Sequence, residues 1–360
     1  MILRQPRAFR SRFPGVTLLG LGLLLGLPSL ASAADSTLHE SGSTLLYPLF
    51  QLWIPAFEAA HPGMTITSQA TDSGAGMDQA IAGRVQIGAS DAYMSDELAA
   101  HNPRVLNIPL AISAVTVNYN LPNLNGVPLK LDGPTLVGIY SGKVKSWDAP
   151  QIAALNPGVK LPSQGIIPVR RADASGDTFV FTQFLDFSSQ DWENAVGYGT
   201  TVAWPGVSAG RTADGNAGIL QVLTTTPYAI GYIGVSFHND VAKAGLGTAR
   251  LRNQAGQDLL PTAETVSAAA SNLDQRTPAD ERLSLVFAPG ENSYPLINYE
   301  YAVVSTRQAD PQTAAAIRRF LLWAIAVDGG NSRKYLDAVG FIPLPDFIRA
   351  LSEKQIDRIQ

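Results

Sequence analysis

The sequence contains no cysteine. An oxidising compartment would have no disulfide to form, and no cysteine is present for lipid attachment at a lipobox. Histidine is scarce too: His39, His61, His101 and His238 stand far apart, without the spacing of a metal site. No G-x-x-x-x-G-K-[ST] run occurs, so any nucleotide hydrolysis belongs to a partner. No apolar run approaches the roughly 20 residues that a hydrocarbon core demands. A charged fraction of 16% with 46% apolar residues is ordinary globular composition, which excludes extended disorder.

The first residues hold Arg4, Arg7, Arg10 and Arg12 with no acid, then an apolar stretch at 16–27, then Ala31-Ser32-Ala33-Ala34. This reads as a secretory signal peptide over 1–33, cleaved after Ala33, and predicts a soluble periplasmic protein. Removing the leader takes four of the 26 basic residues and none of the 30 acidic ones, so the formal charge goes from −4 to −8. A protein this acidic is not expected to bind nucleic acid or anionic lipid. Trp53, Trp147, Trp192, Trp204 and Trp323 are accordingly read as packing residues rather than base-stacking platforms.

Apolar periodicity predicts helices at 44–60, 76–82, 178–185, 218–224 and 311–327, with strands between them at 65–70, 85–89, 115–119, 166–171, 229–233 and 299–304. Such alternation argues for an α/β fold. Two long strand-like segments, 108–119 and 296–304, bracket a large central block. A chain that crosses to a second lobe, builds it and returns would explain them.

Three predicted helices begin alike: Ser41-Gly42-Ser43-Thr44, Asp72-Ser73-Gly74-Ala75-Gly76 and Asp173-Ala174-Ser175-Gly176-Asp177-Thr178. Hydroxyls there cap the helix, glycine lets backbone N–H groups approach a ligand, and the helix end adds partial positive charge. Each alone is an ordinary cap; three together suggest an anion site. In Arg170-Arg171-Ala172-Asp173 the strand period of two puts Arg171 and Asp173 on one face and Arg170 on the other. Asp173 can hold the Arg171 guanidinium for an oxyanion, although a surface ion pair has the same spacing. Asp91 follows a predicted buried strand, where α/β crevices lie. A carboxylate beside an anion helps only when the ligand carries a proton, because an ionised Asp accepts but cannot donate.

Taken together, these segments resemble the phosphate-binding proteins of the bacterial phosphate-specific ABC importer, the PstS family. The resemblance rests on Gly88-Ala89-Ser90-Asp91-Ala92, Leu155-Asn156-Pro157-Gly158, Leu161-Pro162-Ser163-Gln164, Arg170-Arg171-Ala172-Asp173-Ala174-Ser175-Gly176 and Phe179-Val180-Phe181-Thr182. It implies a two-lobed Venus-flytrap fold of type II with hinge strands, lobe I from 34–112 and 300–360 and lobe II from 113–299. It also implies a monomeric, non-enzymatic receptor, without cofactor, that delivers inorganic phosphate to inner-membrane permease subunits. By resemblance the ligands fall on Thr44, the Leu45 backbone N–H, Ser73, Asp91, Arg171, Ser175, Gly176 and Asp177, with Asp173 and Thr178 in support. Leu45 stands where the family often has an aromatic. Asp177 stands where many members have threonine, resembling the Ser-Gly-Asp-Thr form of some actinobacterial relatives. There it either adds a second acceptor or caps the helix, and capping is the more ordinary role.

Two alternatives set limits. A receptor for sulfate would conflict with Asp91, whereas arsenate, which protonates much as phosphate does, would not. Gly206-Val207-Ser208-Ala209-Gly210 matches a serine-hydrolase nucleophile pattern at Ser208, but that pattern needs a strand before it and a helix after it, and the flanking residues read as loop.

Overall fold

The structure is a computed structural model and describes residues 36–360; the leader expected at 1–33 lies outside them. The chain begins with strand β1 (Ser36–Gly42), helix α1 (Tyr47–Ala60), β2 (Met64–Ala70), α2 (Ser73–Ile81) and β3 (Ile87–Ser90). β1 pairs in parallel with both β2 and β3, an arrangement that needs the intervening helices as crossovers. Helix α3 (Asp96–His101) then leads into β4 (Val105–Tyr119).

The central block comprises β5 (Lys130–Leu131), α4 (Gly133–Tyr140), α5 (Pro150–Leu155), β6 (Ile167–Arg171), α6 (Gly176–Ser188), α7 (Gln190–Ala195), β7 (Arg211–Ala213), α8 (Gly215–Thr225), β8 (Ala229–Gly234), α9 (His238–Lys243), β9 (Gly247–Thr248), β10 (Arg250–Arg252), β11 (Asp258–Leu259) and α10 (Ala263–Ser271). The chain ends with β12 (Ile297–Ser305), α11 (Pro311–Ile325), α12 (Arg333–Val339) and α13 (Asp346–Ile356).

The main sheet runs β2-β1-β3-β12-β4-β8-β6-β7, and β9 also pairs with β4; a small second sheet runs β11-β10-β5. β4 is shared along its length. Its residues 105–114 pair antiparallel with β12, while 115–119 pair with β8. Its side chains are buried on both faces almost throughout, which explains a near-continuous apolar run instead of alternation.

β1 was not expected from periodicity, since Leu38 is its one strongly apolar residue. Its polar residues Glu40 and Ser41 are nevertheless buried, because pairing on both sides overrides local preference. Helix α4 was missed for the opposite reason: seven of its eight residues are buried, so no amphipathic stripe exists.

α1 buries Leu49, Phe50, Trp53 and Phe57 against the sheet and α11, where Phe320 meets the rings of Phe50, Trp53 and Phe57. Each such burial is worth roughly 1.5–3 kcal/mol. A second aromatic group, Tyr140, Phe181, Trp204 and Tyr232, packs beside β6. Tyr232 is fully buried within it, and the Tyr232 hydroxyl accepts from the Arg171 backbone N–H at 3.0 Å.

Candidate functional site

Strands β1, β2, β6 and β7 end beside the N-termini of α1, α2, α6 and α8, and β3 ends next to Asp91. Each strand-to-helix connection is short: Gly42 to Tyr47, Ala70 to Ser73, Arg171 to Gly176 and Ala213 to Gly215. The crevice outside strand carboxyl ends is where α/β folds place ligands. Of the three helix starts read from sequence, Asp72 caps α2 by accepting from Ala75 N at 2.6 Å, and Ser175 caps α6 by accepting from Thr178 N at 3.2 Å. α1 begins at Tyr47 without a side-chain cap, and Ser43 Oγ instead holds the turn before it, accepting from Leu45 N at 3.1 Å and Leu46 N at 3.0 Å. The Leu45 N–H is therefore engaged by Ser43.

Asp91 lies immediately after β3 and is buried. Its Oδ1 accepts from the Ser43 hydroxyl, and its Oδ2 from Ser73 Oγ at 3.2 Å. Burial raises its pKa; contact with Glu300, Ser43, Arg171 and Ser73 opposes the rise.

Arg171 ends β6 with a side chain that is 1% exposed. Its Nε donates to Asp173 Oδ1 at 2.7 Å, its Nη2 to Asp173 Oδ2, and its Nη1 to Asp177 Oδ2 at 2.6 Å. Its pKa is raised by these two carboxylates against the opposing effect of burial. Arg170 points away, donating to the Pro205 carbonyl and lying over the Trp204 ring. The strand period had predicted that separation.

Asp177 does not cap α6, which corrects the more ordinary role expected for it. Ser175 already fills the cap, and the Asp177 side chain turns inward to Arg171 and to Asn216, whose Nδ2 lies 2.7 Å from Asp177 Oδ2. The other oxygen, Oδ1, is buried and meets no hydrogen-bond donor. Burial, then the Asp91 charge, pushes the Asp177 pKa up to about 7.

Thr44 Oγ1 accepts from Asn216 N at 3.2 Å and Asn216 Nδ2 at 2.9 Å. Gly74 N donates to the Ala174 carbonyl at 2.9 Å. Gly176 lies so close to the opposite wall that an added Cβ would sit 2.4 Å from Asp91 Oδ2 and 2.5 Å from Ser73 Oγ. The Thr178 hydroxyl is engaged by the Tyr232 hydroxyl at 2.7 Å. Thr44, Ser73, Asp91, Arg171, Ser175, Gly176 and Asp177 thus gather in one crevice, with Asp173 behind Arg171.

Three residues escaped the sequence reading. Ser43 was seen as part of a motif without a role of its own. Asn216 is fully buried at the start of α8, and its Oδ1 accepts from Gly234 N at 2.8 Å. Ala213-Asp214-Gly215-Asn216 repeats the strand, acid and glycine device of the other helix starts, a signal that could have found it. Glu300, buried on β12, had no local signature.

The clefts that open elsewhere belong to other parts of the surface. One of about 510 Å³ is lined by residues including His238, Leu246, Arg333 and Phe341, and none of the gathered residues reaches it. Ser208 is exposed in a turn between α7 and β7, so the strand and helix a nucleophile elbow needs are not around it.

A crevice lined by helix starts, in an α/β fold with one strand common to both halves of the sheet, defines a two-lobed solute-binding architecture. Residues 28–327 match the PBP superfamily domain. The chain is 32% identical to the phosphate-binding protein PstS of Haemophilus influenzae, over 89% of this chain and 93% of that one, and 30% identical to PstS of Methanocaldococcus jannaschii over 95% of each. The solved phosphate binding protein of Stenotrophomonas maltophilia has the same two-lobed fold, with a TM-score of 0.68 at 19% identity, covering 89% of this chain and 93% of that one. The chain belongs to the PBP superfamily and, within it, to the family of PstS phosphate-binding proteins.

Proposed function

We propose that this chain captures inorganic phosphate between two lobes outside the inner membrane and delivers it to the permease subunits of an ABC importer. The observation that carries the reading is the presence of Arg171 and Asp91, both buried, in one crevice, close enough for the Arg171 charge to act on Asp91. A guanidinium held by Asp173 serves an oxyanion, while an ionised carboxylate serves only a ligand that still bears a proton. Phosphate at neutral pH is such an ion; sulfate is not. Relatives named for phosphate binding, matched over nine tenths of the chain, support the same choice.

Thr44, Leu45, Ser73 and Asp91 form one wall in this reading, and Arg171, Ser175, Gly176 and Asp177 the other. Residues 34–112 and 300–360 make lobe I and 113–299 lobe II, a division supported by the change of partner along β4 from β12 to β8 near residue 115. The Thr44–Asn216 and Gly74–Ala174 hydrogen bonds then join the lobes in a closed form. Asp177 Oδ1 is the atom left for the ligand: protonated, it donates to an oxyanion; ionised, it accepts a second P–OH and so favours the monobasic ion. A receptor that closes over its ligand needs no nucleophile, and we read the chain as a non-enzymatic, monomeric periplasmic protein. The basic and apolar leader at 1–33 supports export, and among the described residues no helix is long and apolar enough to cross a membrane.

The test is calorimetry on protein refolded free of copurified ligand, titrated with phosphate, arsenate and sulfate. One phosphate site per chain, competition by arsenate and no heat from equal sulfate are expected. Equal binding of sulfate and phosphate would remove the role given to Asp91.

A further inference from the structure

Glu300 is fully buried on β12, next to the strand position facing the end of β3. Tyr301 is the partner of Ser90 in that antiparallel pairing, so Glu300 comes beside Asp91. The register between β12 and β4 slips at this point, with Glu300 opposite Ala111 but Tyr301 opposite Pro109. Proline has no N–H to donate, and such a bulge re-aims the neighbouring side chain.

The two oxygens of Glu300 are treated differently. Oε1 accepts from the Ser113 hydroxyl and from Asn298 Nδ2 at 3.0 Å. The same Asn298 Nδ2 reaches the Asp91 carbonyl at 3.2 Å, tying the two acids into one frame. No N–H or hydroxyl reaches Oε2, although it is buried. The group that Glu300 meets instead is the Asp91 carboxyl. An ionised Glu300 would leave an unsatisfied acceptor and set a second buried negative charge against Asp91, a costly combination. Two carboxyls sharing a buried site hold a proton between them.

We propose that Glu300 stays protonated and donates its O–H to the Asp91 carboxylate, making Glu300 a positioning residue that keeps Asp91 an obligate acceptor toward the ligand. Resting on the phosphate-binding reading above, this extends it by naming what sets the oxyanion selectivity. Asp91 then receives three hydroxyl donors, from Ser43, Ser73 and Glu300. Its negative charge is held in place, and a proton-free oxyanion meets an acceptor with nothing to donate. The charged and titratable groups facing the pair are Arg171 from β6 and Asp177 from α6. Burial, followed by the Asp91 charge, raises the Glu300 pKa well above the ordinary range, in the same sense.

The experiment compares wild type with Glu300→Gln, whose amide keeps a donor and an acceptor, and with Glu300→Leu, which keeps neither. The infrared difference spectrum of wild type minus Glu300→Gln at neutral pH should contain one protonated-carboxyl band, the bands of other buried acids cancelling, with or without phosphate. Phosphate affinity in Glu300→Gln should stay within about threefold of wild type, because the amide replaces the O–H donor. Glu300→Leu should weaken phosphate about tenfold and raise sulfate relative to phosphate, because an Asp91 short of donors takes up a proton and becomes a donor itself. Absence of the band, together with tighter phosphate binding by Glu300→Gln, would mean an ionised Glu300 and overturn the proposal. An unchanged phosphate-to-sulfate ratio in Glu300→Leu would overturn its role in selectivity. A wild type that binds no phosphate would defeat the phosphate reading instead, and the infrared band would still decide whether Glu300 is protonated.

Discussion

The two walls of the crevice use the same backbone device and opposite chemistry. On the side of α1, α2 and β3, Asp91 accepts the Ser43 and Ser73 hydroxyls and stands against Glu300, so hydrogen bonds surround its charge. On the side of β6, α6 and α8, Arg171 is pinned by Asp173 and also engages Asp177, whose Oδ1 has no donor. Asp91 and Asp177 are both buried acids, one at the end of β3 and the other in the first turn of α6, yet one is saturated and the other is half satisfied. A side chain already surrounded by donors defines what a ligand must offer. The half-satisfied one is free to adapt to what the ligand brings.

The comparison breaks most sharply at Arg171. Arg171→Ala removes the cation and leaves Asp173 and Asp177 unpaired in a buried place, so phosphate affinity should fall by on the order of 2–5 kcal/mol by calorimetry. Near-native binding would move the site elsewhere. Adding bulk between the walls comes next. Gly176→Ala drives a methyl against Asp91 and Ser73 and should weaken binding by about 1–3 kcal/mol, the usual cost of overpacking. Unaltered affinity would mean that the walls do not close this tightly around ligand.

Asp177 sharpens the contrast through pH. Its pKa of about 7 in the folded chain exceeds the ordinary 3.8, so the folded state binds this proton more tightly than the unfolded state. The stabilisation is complete below about pH 4 and is lost as pH rises through about 7. Glu40 and Glu281, each pushed up to about 8 mainly by burial, act in the same direction. The quantity to measure is therefore the difference between wild type and Asp177→Asn. The ligand-free wild type should lose more Tm than the variant between pH 5 and pH 8, and parallel curves would mean that Asp177 does not titrate there. The smallest effect belongs to Arg170. Since it faces Trp204 and Pro205, Arg170→Ala should leave phosphate affinity within about twofold, as expected of a substitution away from buried partners.

Much of the fold was legible because its signals are local. Helices at 44–60 and 311–327 were read from apolar stripes, and they appear as Tyr47–Ala60 and Pro311–Ile325. Strands at 65–70 and 229–233 appear within a residue of their predicted bounds. β1 was not legible, because its polar side chains are buried by strand pairing that no local window contains. The site was legible where chemistry sits at a helix start or a strand end: Ser73 and Ser175 at the one, Asp91 and Arg171 at the other, are recognisable by type and context. Asn216 and Glu300 were not, since one comes from the middle of the central block and the other from the returning strand.

By itself the sequence determined the alternation of strands and helices, the hydroxyl and glycine helix starts, and which of two adjacent arginines faces Asp173. These follow from periods of 3.6 and 2 and from capping chemistry, all contained within a few residues. Tertiary structure alone decided that Asp177 turns inward rather than caps, that Asn216 bridges Thr44 and Asp177, and that Glu300 stands against Asp91. Those outcomes depend on distance between remote elements and on burial, and burial is what gives a carboxyl its neighbours, its hydrogen bonds and its proton.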